Sequence, residues 1–275
     1  MTHVCLIGLG RTGLEIARIL MEQRDINLVG AICSELSPKA GKDIGELLGL
    51  PNTGAKIYTP NQLKMVIEKL KPDVFVDFSN YKATMKHVKT ISELGKGLVI
   101  GTTGFSKTDI MRMMVLAKKN GSGILYAPNV TLGVNVMMLL SNIAARILTD
   151  YDFEITEAHH KLKKDSPSGT ALKIADEIEK GLESSGVEMD ENIPIHAIRA
   201  GGIIGRHQLI VAGENDKIEI VHESFSRKAF AAGALKGIRF IKNKKGFFEM
   251  RDVLDLENVL ASYFDKRKIV LYREG

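Results

Sequence analysis

Apolar positions in the first half of the chain alternate between two periods. Short apolar runs at Val4–Leu9 and Asn27–Ile32 predict β-strands, and Leu14–Gln23 between them has the spacing of an amphipathic helix. The alternation continues with predicted strands and helices at Asp73–Ser79, Tyr81–Leu94, Leu98–Thr102, Ser106–Asn120 and Ile124–Tyr126. Because strands that alternate with helices form a parallel sheet with helices on both faces, this half is predicted to be a doubly wound α/β domain.

The second half of the chain mixes helical spacing with shorter alternating segments. Helices are predicted at Gly133–Leu148 and Thr170–Leu182, and a third from Ser226 to about Ile241. Four segments bounded by turn residues are predicted strands, of which the last three are expected to pair antiparallel: Phe153–Ala158, Ile195–Arg199, His207–Val211 and Ile218–His222. This half is therefore predicted to be an α+β domain with a mixed, mainly antiparallel sheet.

Composition adds limits on class and location. The 275 residues, 44% apolar and 26% charged, exceed the usual size of one core and are typical of a globular protein with two domains. The sequence has no apolar run long enough to cross a membrane and no secretory leader before its first strand, so we expect a cytoplasmic protein that does not bind membranes. Cys5 and Cys33 lack the spacing of a zinc or redox site and are expected to be buried thiols.

The net charge of +5 and the pI near 9.0 suit anionic small molecules as well as nucleic acid. Most basic residues are scattered along the chain, so we expect no nucleic-acid partner. The exceptions are two short clusters: Lys161, Lys163 and Lys164, and Lys242, Lys244 and Lys245.

The turn after the first predicted strand carries a glycine pattern. Gly8, Gly10 and Gly13 form G-x-G-x-x-G, with Arg11 and Thr12 inside it, directly between a strand and a helix. The first glycine permits a tight turn, the second lets the backbone approach a pyrophosphate, and the third lets the helix pack on the strand. In this position the pattern predicts a Rossmann-like dinucleotide-binding domain rather than a merely structural turn.

The end of the second predicted strand bears on the choice between NADH and NADPH. An acidic residue there usually binds the ribose 2′-hydroxyl of NAD, but this chain has Cys33 and Ser34. Lys39 and Lys42 could reach a 2′-phosphate, whereas Glu35 could still bind a ribose. The residues slightly favour NADPH and leave NADH open.

Two further loops follow predicted strands at the edge where open parallel sheets bind ligands. They read Asp77-Phe78-Ser79 and Gly101-Thr102-Thr103-Gly104-Phe105, and their small residues would let a nicotinamide ribose approach the backbone. Ser79 and Ser106 have a second interpretation as caps of the helices that follow, and for Ser106 we prefer it.

A basic turn in the second half carries candidate chemistry. It reads His159-His160-Lys161-Leu162-Lys163-Lys164-Asp165-Ser166-Pro167-Ser168-Gly169-Thr170 and leads into a predicted helix with Ser168 as N-cap. The unpaired N–H groups at a helix start would bind a carboxylate, with Lys163 adding positive charge. A histidine is the expected proton donor beside them, although solvated residues at a strand end are the plainer alternative. Adjacent histidines on a strand face opposite ways, so no metal site is expected.

These segments resemble one family, 4-hydroxy-tetrahydrodipicolinate reductase, also called dihydrodipicolinate reductase. The matching segments lie in order along almost the whole chain, and the most specific of them is residues 157–171. They are GLGRTG at 8–13, DFS at 77–79, GTTGF at 101–105, APN followed by GVN at 127–135, EAHHKLKKDSPSGTA at 157–171 and HESFSRKAFAAGA at 222–234.

The resemblance implies NAD(P)H-dependent reduction of a small cyclic dicarboxylate in lysine and diaminopimelate synthesis. It implies a dinucleotide-binding domain of residues 1–129 and 240–275, a substrate-binding and oligomerisation domain of residues 130–239, and a homotetramer joined through the sheets of the latter domains. In place of the acid and arginine that the family often has after the second strand, this chain has Cys33 and Ser34, which keeps the cofactor preference open.

The resemblance also assigns roles to residues. His159 matches the family's proton donor and Lys163 its catalytic lysine. Substrate-carboxylate contacts match His160, Ser168, Gly169 and Thr170. The positions assigned to the cofactor are Gly8, Gly10, Arg11, Thr12, Gly13, Cys33, Ser34, Phe78, Ser79, Gly101, Thr102, Thr103, Ala127, Pro128 and Asn129.

Two other functions fit parts of the sequence. A dehydrogenase of a related amino or imino acid could share the two-domain plan, but it would not need the carboxylate site at the basic turn. A non-catalytic sensor of nicotinamide nucleotide could use the first domain alone, and it would be free to lose His159 and Lys163, both of which this chain has kept.

Overall fold

The computed structural model describes residues 1–189 and 191–264, which belong to two units. Among the described residues, the first unit contains Met1–Val130 together with 231–264, and the second contains Thr131–Phe230.

Regular elements account for most of the described residues. The strands are β1 (Thr2–Ile7), β2 (Ile26–Ile32), β3 (Lys56–Tyr58), β4 (Val74–Asp77), β5 (Gly97–Ile100), β6 (Gly123–Tyr126), β7 (Asp152–His159), β8 (Ile195–Arg199), β9 (Arg206–Ala212), β10 (Lys217–Glu223) and β11 (Gly246–Glu249). The helices are α1 (Arg11–Met21), α2 (Ile44–Leu48), α3 (Leu63–Leu70), α4 (Tyr81–Glu93), α5 (Lys107–Asn120), α6 (Leu132–Ile147), α7 (Gly169–Ser184), α8 (Lys228–Ile241), α9 (Met250–Leu254) and α10 (Leu256–Phe264). Within the described part of the chain, no helix combines the length and the apolar character that crossing a membrane requires.

The first unit is built on a seven-stranded sheet in the order β11-β6-β5-β4-β1-β2-β3. Every neighbouring pair is parallel, which confirms the sheet predicted from the alternation of strands and helices. Because the strands are parallel, β1, β4, β5 and β6 end at one edge. The loops that begin at Gly8, Phe78, Gly101 and Ala127 therefore leave the sheet side by side.

Several short elements of this unit lie outside the predicted ones, among them α2, β3, α3 and β11. The strands β3 and β11 are too short for a periodic pattern, and they form by pairing with β2 and β6. The segment before β3 is held by a buried carboxylate, because Asp43 accepts hydrogen bonds from the Gly45 N–H, the Thr53 N–H and the Thr53 hydroxyl at 2.8, 2.9 and 2.8 Å.

The core of the first unit lies between the sheet and its helices. Ile7, Phe75 and Ile100 from the strands pack with Val88 of α4 and Met113 of α5, and each is at most 2% exposed. Burial of one such side chain contributes about 1.5–3 kcal/mol, so this cluster anchors the strand ends that carry the loops.

The second unit is a four-stranded sheet in the order β10-β9-β7-β8. β9 pairs antiparallel with β10, as expected, and also with β7, but β8 runs parallel to β7. The prediction of an antiparallel strand at Ile195–Arg199 is therefore wrong. The physical reason is the connection: α7 lies between β7 and β8, and a helical crossover brings the chain back in the same direction. One sheet face packs with α6 and α7 in a core that includes Phe153, Ile174 and Leu209.

The helix α8 belongs to the first unit. A Cβ at Gly237 would lie 2.7 Å from Leu125 of β6, and both Ile238 and Ile241 are fully buried. The chain returns to the first unit at Ala231, ahead of the predicted boundary at residue 240, because the small and apolar face of α8 packs on this sheet. The other boundary follows Val130, next to the predicted one.

Candidate active site

The turn between β1 and α1 is closed by backbone contacts that only glycine permits. A Cβ at Gly8, whose φ is +92°, would lie 2.6 Å from the Phe78 carbonyl oxygen. A Cβ at Gly13 would lie 2.0 Å from the carbonyl oxygen of Gly8. These approaches hold the start of α1 against the ends of β1 and β4, as the glycine pattern predicts.

The start of α1 is open to a ligand. Gly10 is the N-cap residue, it makes no side-chain capping bond, and a Cβ placed on it would meet nothing within 4 Å. Arg11 beside it is exposed and Thr12 is half-buried. Since a helix start presents N–H groups and the positive end of the helix dipole, this turn fits the pyrophosphate of a dinucleotide.

The loops after β4 and β5 are joined by one buried carboxyl group. Asp77, fully buried, accepts hydrogen bonds from the Ser79 N–H at 2.9 Å, the Ser79 hydroxyl at 2.6 Å and the Thr102 hydroxyl at 3.3 Å. The Phe78 ring occupies the space beside Gly101, where a Cβ would lie 2.2 Å from it. Burial raises the pKa of Asp77.

The capping interpretations of the two serines have different outcomes. Asn80, not Ser79, caps α4 by accepting from the Ala83 N–H, because the Ser79 hydroxyl is held by Asp77. Ser106 caps α5 by accepting from the Asp109 N–H, as predicted.

The end of β2 places its residues in different surroundings. The Cys33 thiol is buried and donates to the carbonyl oxygens of Ser34 and Tyr58. Of the two candidate cofactor residues, Cys33 and Ser34, only Ser34 is exposed. Lys39 reaches back to the glycine turn, with its Nζ 2.6 Å from the Leu9 carbonyl oxygen. Lys42 instead pairs with Glu46 on the surface at 3.8 Å.

The remaining cofactor candidates lie at the same sheet edge. Ala127 continues the sheet by donating to the Ile100 carbonyl oxygen at 2.8 Å. Asn129 is buried, Pro128 is half-buried and Thr103 is exposed. The first unit thus gathers the predicted cofactor residues at the ends of β1, β2, β4, β5 and β6.

In the second unit, the end of β7 carries a buried, hydrogen-bonded pair of side chains. Glu157 and His159 are two residues apart and share the face that packs with the helices, with Nδ1 of His159 2.5 Å from the Glu157 carboxylate. Burial raises the pKa of Glu157, but hydrogen bonds from Arg199 and His159 outweigh it and hold that pKa below its ordinary value. Burial lowers the pKa of His159 against the raising effect of Glu157.

Arg199 connects this pair to the basic turn. Its guanidinium donates to the Glu157 carboxylate at 2.6 Å and to the carbonyl oxygen of Asp165 at 2.8 Å. The Asp165 carboxylate in turn lies 2.8 Å from Nζ of Lys163. One guanidinium therefore links the buried carboxylate to the loop that carries the predicted catalytic lysine.

The start of α7 lies beside the same carboxylate. Ser168 is the N-cap, as predicted: its hydroxyl accepts from the Ala171 N–H, and its own backbone N–H donates to Glu157 at 3.1 Å. Gly169 is exposed and Thr170 is half-buried at the first positions of the helix. The half-buried His160 follows the end of β7.

Two further histidines continue the site along the sheet. The ring centroid of His207 lies 5.2 Å from that of His159 and 6.5 Å from that of His222. The Ser168 hydroxyl lies 3.3 Å from Nε2 of His207. Burial lowers the pKa of His207 to about 3, so this ring is neutral at physiological pH.

Glu157, His159 and His207 bring three potential ligand atoms within 4.8 Å of one another. Glu157 already accepts from His159, Arg199 and Ser168. A metal ion would have to displace those bonds beside the Arg199 guanidinium, so the donor set is better suited to orienting a proton donor than to holding a cation.

Sequence models of one family match both units of the chain. The model described as dihydrodipicolinate reductase, N-terminus, matches residues 2–130, and the one described as dihydrodipicolinate reductase, C-terminus, matches residues 133–254. The chain belongs to the dihydrodipicolinate reductase family. The family resemblance that the sequence motifs indicated is confirmed.

Known proteins of this family are similar along nearly the whole chain. The 4-hydroxy-tetrahydrodipicolinate reductase of Methanocaldococcus jannaschii is 38% identical over 272 residues, which cover 94% of this chain and 99% of the relative. The enzyme of the same name from Methanococcus aeolicus is 38% identical over 271 residues, covering 93% and 99%. The dipicolinate-bound dihydrodipicolinate reductase from Paenisporosarcina sp. TG-14 is 28% identical, with 90% of this chain and 98% of that chain covered and a TM-score of 0.72. An amine dehydrogenase from Mycobacterium smegmatis, 15% identical with 90% and 94% covered and a TM-score of 0.67, shares the fold alone.

Some groups of this candidate site are not assigned by the motifs. The sequence could have revealed the position of Glu157, since alternation along a strand places it on the same face as His159. Arg199 and His207 carry no such signal, because they reach the site through the pairing of β8 and β9 with β7.

Proposed function

We propose that this chain is an NAD(P)H-dependent 4-hydroxy-tetrahydrodipicolinate reductase, which forms tetrahydrodipicolinate in lysine and diaminopimelate synthesis. The observation that carries the proposal is the buried Glu157–His159 pair, joined by the Ser168 N–H to the start of α7, in a chain of this family. Relatives of that name match nearly its full length, and the solved relative is described with dipicolinate bound, a ring dicarboxylate.

The substrate carboxylates bind at the start of α7 in this proposal. Ser168, Gly169 and Thr170 present the helix N-terminus, and His160 and Lys163 lie on the turn before it. A carboxylate there gains the N–H groups and the helix dipole, and the Lys163 ammonium adds a full charge. Two carboxylates on one small ring would fix its orientation, which is how positioning contributes to rate.

The protein residues then supply the proton. The glycine turn at 8–13 and the loops after β4 and β5 would hold the reduced nicotinamide nucleotide, which would supply a hydride to a conjugated carbon of the dihydropyridine formed by loss of water from the substrate. His159 protonates the resulting enamine, while the Lys163 ammonium stabilises the negative charge that moves toward the ring nitrogen and the carboxylates. This addition of one hydride and one proton yields tetrahydrodipicolinate.

The finer assignment of cofactor is NADPH over NADH. Two observations support it: the end of β2 offers Cys33 and Ser34 rather than an acid, and the Lys39 ammonium lies at the glycine turn. Lys39→Ala should raise KM for NADPH more than KM for NADH, and Lys42→Ala, which removes a surface pair with Glu46, serves as the matched control. Equal effects on both nucleotides would contradict this assignment.

We propose a homotetramer joined through the sheet face of the second unit that faces away from α6 and α7. Ile198 and Val221 on that face are 46% and 48% exposed, and Ile210 on the same face is half-buried. Val221→Asp should shift the mass measured by light scattering toward smaller assemblies. An unchanged mass would place the subunit contact elsewhere.

The expected cytoplasmic location stays a prediction.

The reaction is tested by following reduced-nicotinamide absorbance. The preceding synthase makes the substrate from pyruvate and aspartate semialdehyde in the same cuvette, and NADPH and NADH are supplied in parallel. Oxidation that requires both the synthase and this protein is the expected result. Nucleotide binding without oxidation would overturn the proposed reaction and leave a related substrate or a sensor as the better explanation.

A further inference from the structure

We propose that Glu157 is a positioning residue that fixes the Nδ1–H tautomer of His159, so that Nε2 is the atom that exchanges a proton with substrate. This inference rests on the proposed function and adds to it a residue that acts on the reaction only through His159.

The first support is the geometry of β7. Residues at i and i+2 of a strand share a face, and here the Glu157 carboxylate lies 2.5 Å from Nδ1 of His159. Glu157 is fully buried and His159 is 8% exposed, so water does not compete for this bond. An ionised carboxylate can only accept hydrogen bonds, and therefore Nδ1 must carry the proton.

The second support is the way Glu157 itself is held. One oxygen of its carboxylate accepts from the Arg199 guanidinium at 2.6 Å and from the Ser168 N–H at 3.1 Å, and the other faces His159. A buried charge is stable only when it is paired and hydrogen-bonded, and Arg199 provides the pairing. The carboxylate therefore has a single orientation, with one oxygen committed to each side.

The third support is what the carboxylate joins. The Ser168 N–H belongs to the N-cap of α7, where the substrate carboxylate is proposed to bind. The same side chain thus ties the ring of His159 to the start of that helix. Efficient proton transfer requires that the position of the donor relative to the substrate anchor be fixed to within about 0.5 Å.

The fourth support is the space around Nε2. A Cβ at the buried Gly205 would lie 3.2 Å from Nε2 of His159, and the absence of a side chain there keeps that nitrogen clear. Nδ1 is thus committed to Glu157, whereas Nε2 is free to exchange a proton. The division of roles between the two ring nitrogens follows from these contacts.

The test is Glu157→Gln in the full-length protein. Arg199 and the Ser168 N–H both donate and need the amide oxygen, so the amide NH₂ must face Nδ1 of His159. The neutral ring should then move its proton to Nε2. The imidazolium that donates from Nε2 would then point its Nδ1–H at an amide N–H instead of a carboxylate, and this loss of an acceptor disfavours the protonated ring. Here we expect a loss of about 100-fold or more in kcat, with KM for the nucleotide unchanged.

The tautomer of His159 is the measurement that separates positioning from a merely structural role, because a structural defect alone would not reverse it. In protein labelled with ¹⁵N-histidine, the His159 signals, assigned by their loss in His159→Gln, should report Nδ1–H in the wild type and Nε2–H in Glu157→Gln. The fall of kcat with rising pH should also begin at lower pH in the variant, since Glu157 raises the pKa of His159.

A matched control lies on the same strand. Glu154 makes the same kind of contact, with its carboxylate 2.5 Å from Nε2 of His196, but both side chains are at least 42% exposed. Glu154→Gln should leave kcat and the His159 signals unchanged. In a His159→Gln background, Glu157→Gln should lower kcat less than about 3-fold further, because the two residues act as one unit.

An unchanged tautomer in Glu157→Gln, or multiplicative losses in the double variant, would overturn the positioning role. The nitrogen signals are read without substrate, so they decide this inference even if the coupled assay shows no synthase-dependent oxidation. That second result would overturn the proposed reaction and not the pairing of Glu157 with His159.

Discussion

Replacement of Ser168 by alanine tests the contacts that hold the start of α7. The hydroxyl of Ser168 accepts from the Ala171 N–H at 3.2 Å and lies 3.3 Å from Nε2 of His207. Loss of an N-cap costs about 1 kcal/mol. Loss of the bond to the neutral imidazole would leave the buried ring nitrogen without a partner, which costs about 1–3 kcal/mol more. We therefore expect Ser168→Ala to destabilise the second unit by about 2–4 kcal/mol.

The chain supplies a control for the capping contribution alone. Ser106 caps α5 in the same way, accepting from the Asp109 N–H at 3.1 Å, but it is exposed and its other bond is to the Asp109 carboxylate. Ser106→Ala should cost about 1 kcal/mol. The excess in Ser168→Ala is then the contribution of the bond to His207.

Hydrogen exchange, read helix by helix in dilute urea, is the suitable assay, because two units need not unfold together. The amides in the second turn of α7 report one variant, and those of α5 report the other. If the two losses agree within about 0.5 kcal/mol, the Ser168–His207 bond contributes nothing and the reasoning about the buried ring is refuted.

Three further predictions follow from single contacts. The pKa of His207 is lowered from 6.5 to about 3, so the unfolded chain takes up a proton that the folded one does not. Stability should fall by about 2 kcal/mol between pH 7 and pH 5, and His207→Gln should remove that part of the slope in urea titrations. Lys163→Ala should lower kcat by about 10³-fold and leave nucleotide affinity by fluorescence titration intact, whereas Lys164→Ala, at the exposed neighbour, should change neither. Gly101→Ala would place a Cβ 2.2 Å from the Phe78 ring, and we expect a loss of about 1–3 kcal/mol in thermal unfolding together with weaker nucleotide binding.

The sequence predicts the parallel sheet of the first unit well because each element there has a local period. Val4–Leu9 and Leu14–Gln23 differ in the spacing of their apolar residues, and the structure has β1 and α1 at these places. Local patterns carry no information on pairing. For that reason β3 and β11 were not predicted. The predicted direction of β8 was wrong, because the α7 crossover sets that direction.

The candidate site also contains residues that local sequence patterns predict and residues that they do not. Ser168 as N-cap, and the proximity of its helix to His159, could be predicted because the residues are close in sequence and each has a local role. The groups that fix them come from a distance: Arg199 is 42 residues from Glu157, and His207 is 39 residues from Ser168. Strand register places these two side chains at the site, and no local pattern of a single sequence encodes that register.

Both units use one buried carboxyl group to join two segments, and the electrostatic surroundings give the two groups different roles. Asp77 bonds Ser79 and Thr102 through hydroxyl and amide donors, and burial raises its pKa. Glu157 also faces the Arg199 guanidinium, and its pKa is held below the ordinary value. Neutral donors can be satisfied by a carboxyl group in either protonation state, whereas a fixed imidazole tautomer needs a permanent acceptor. The arginine is therefore required where the carboxylate must control a proton, and it is dispensable where the carboxyl group only connects two loops.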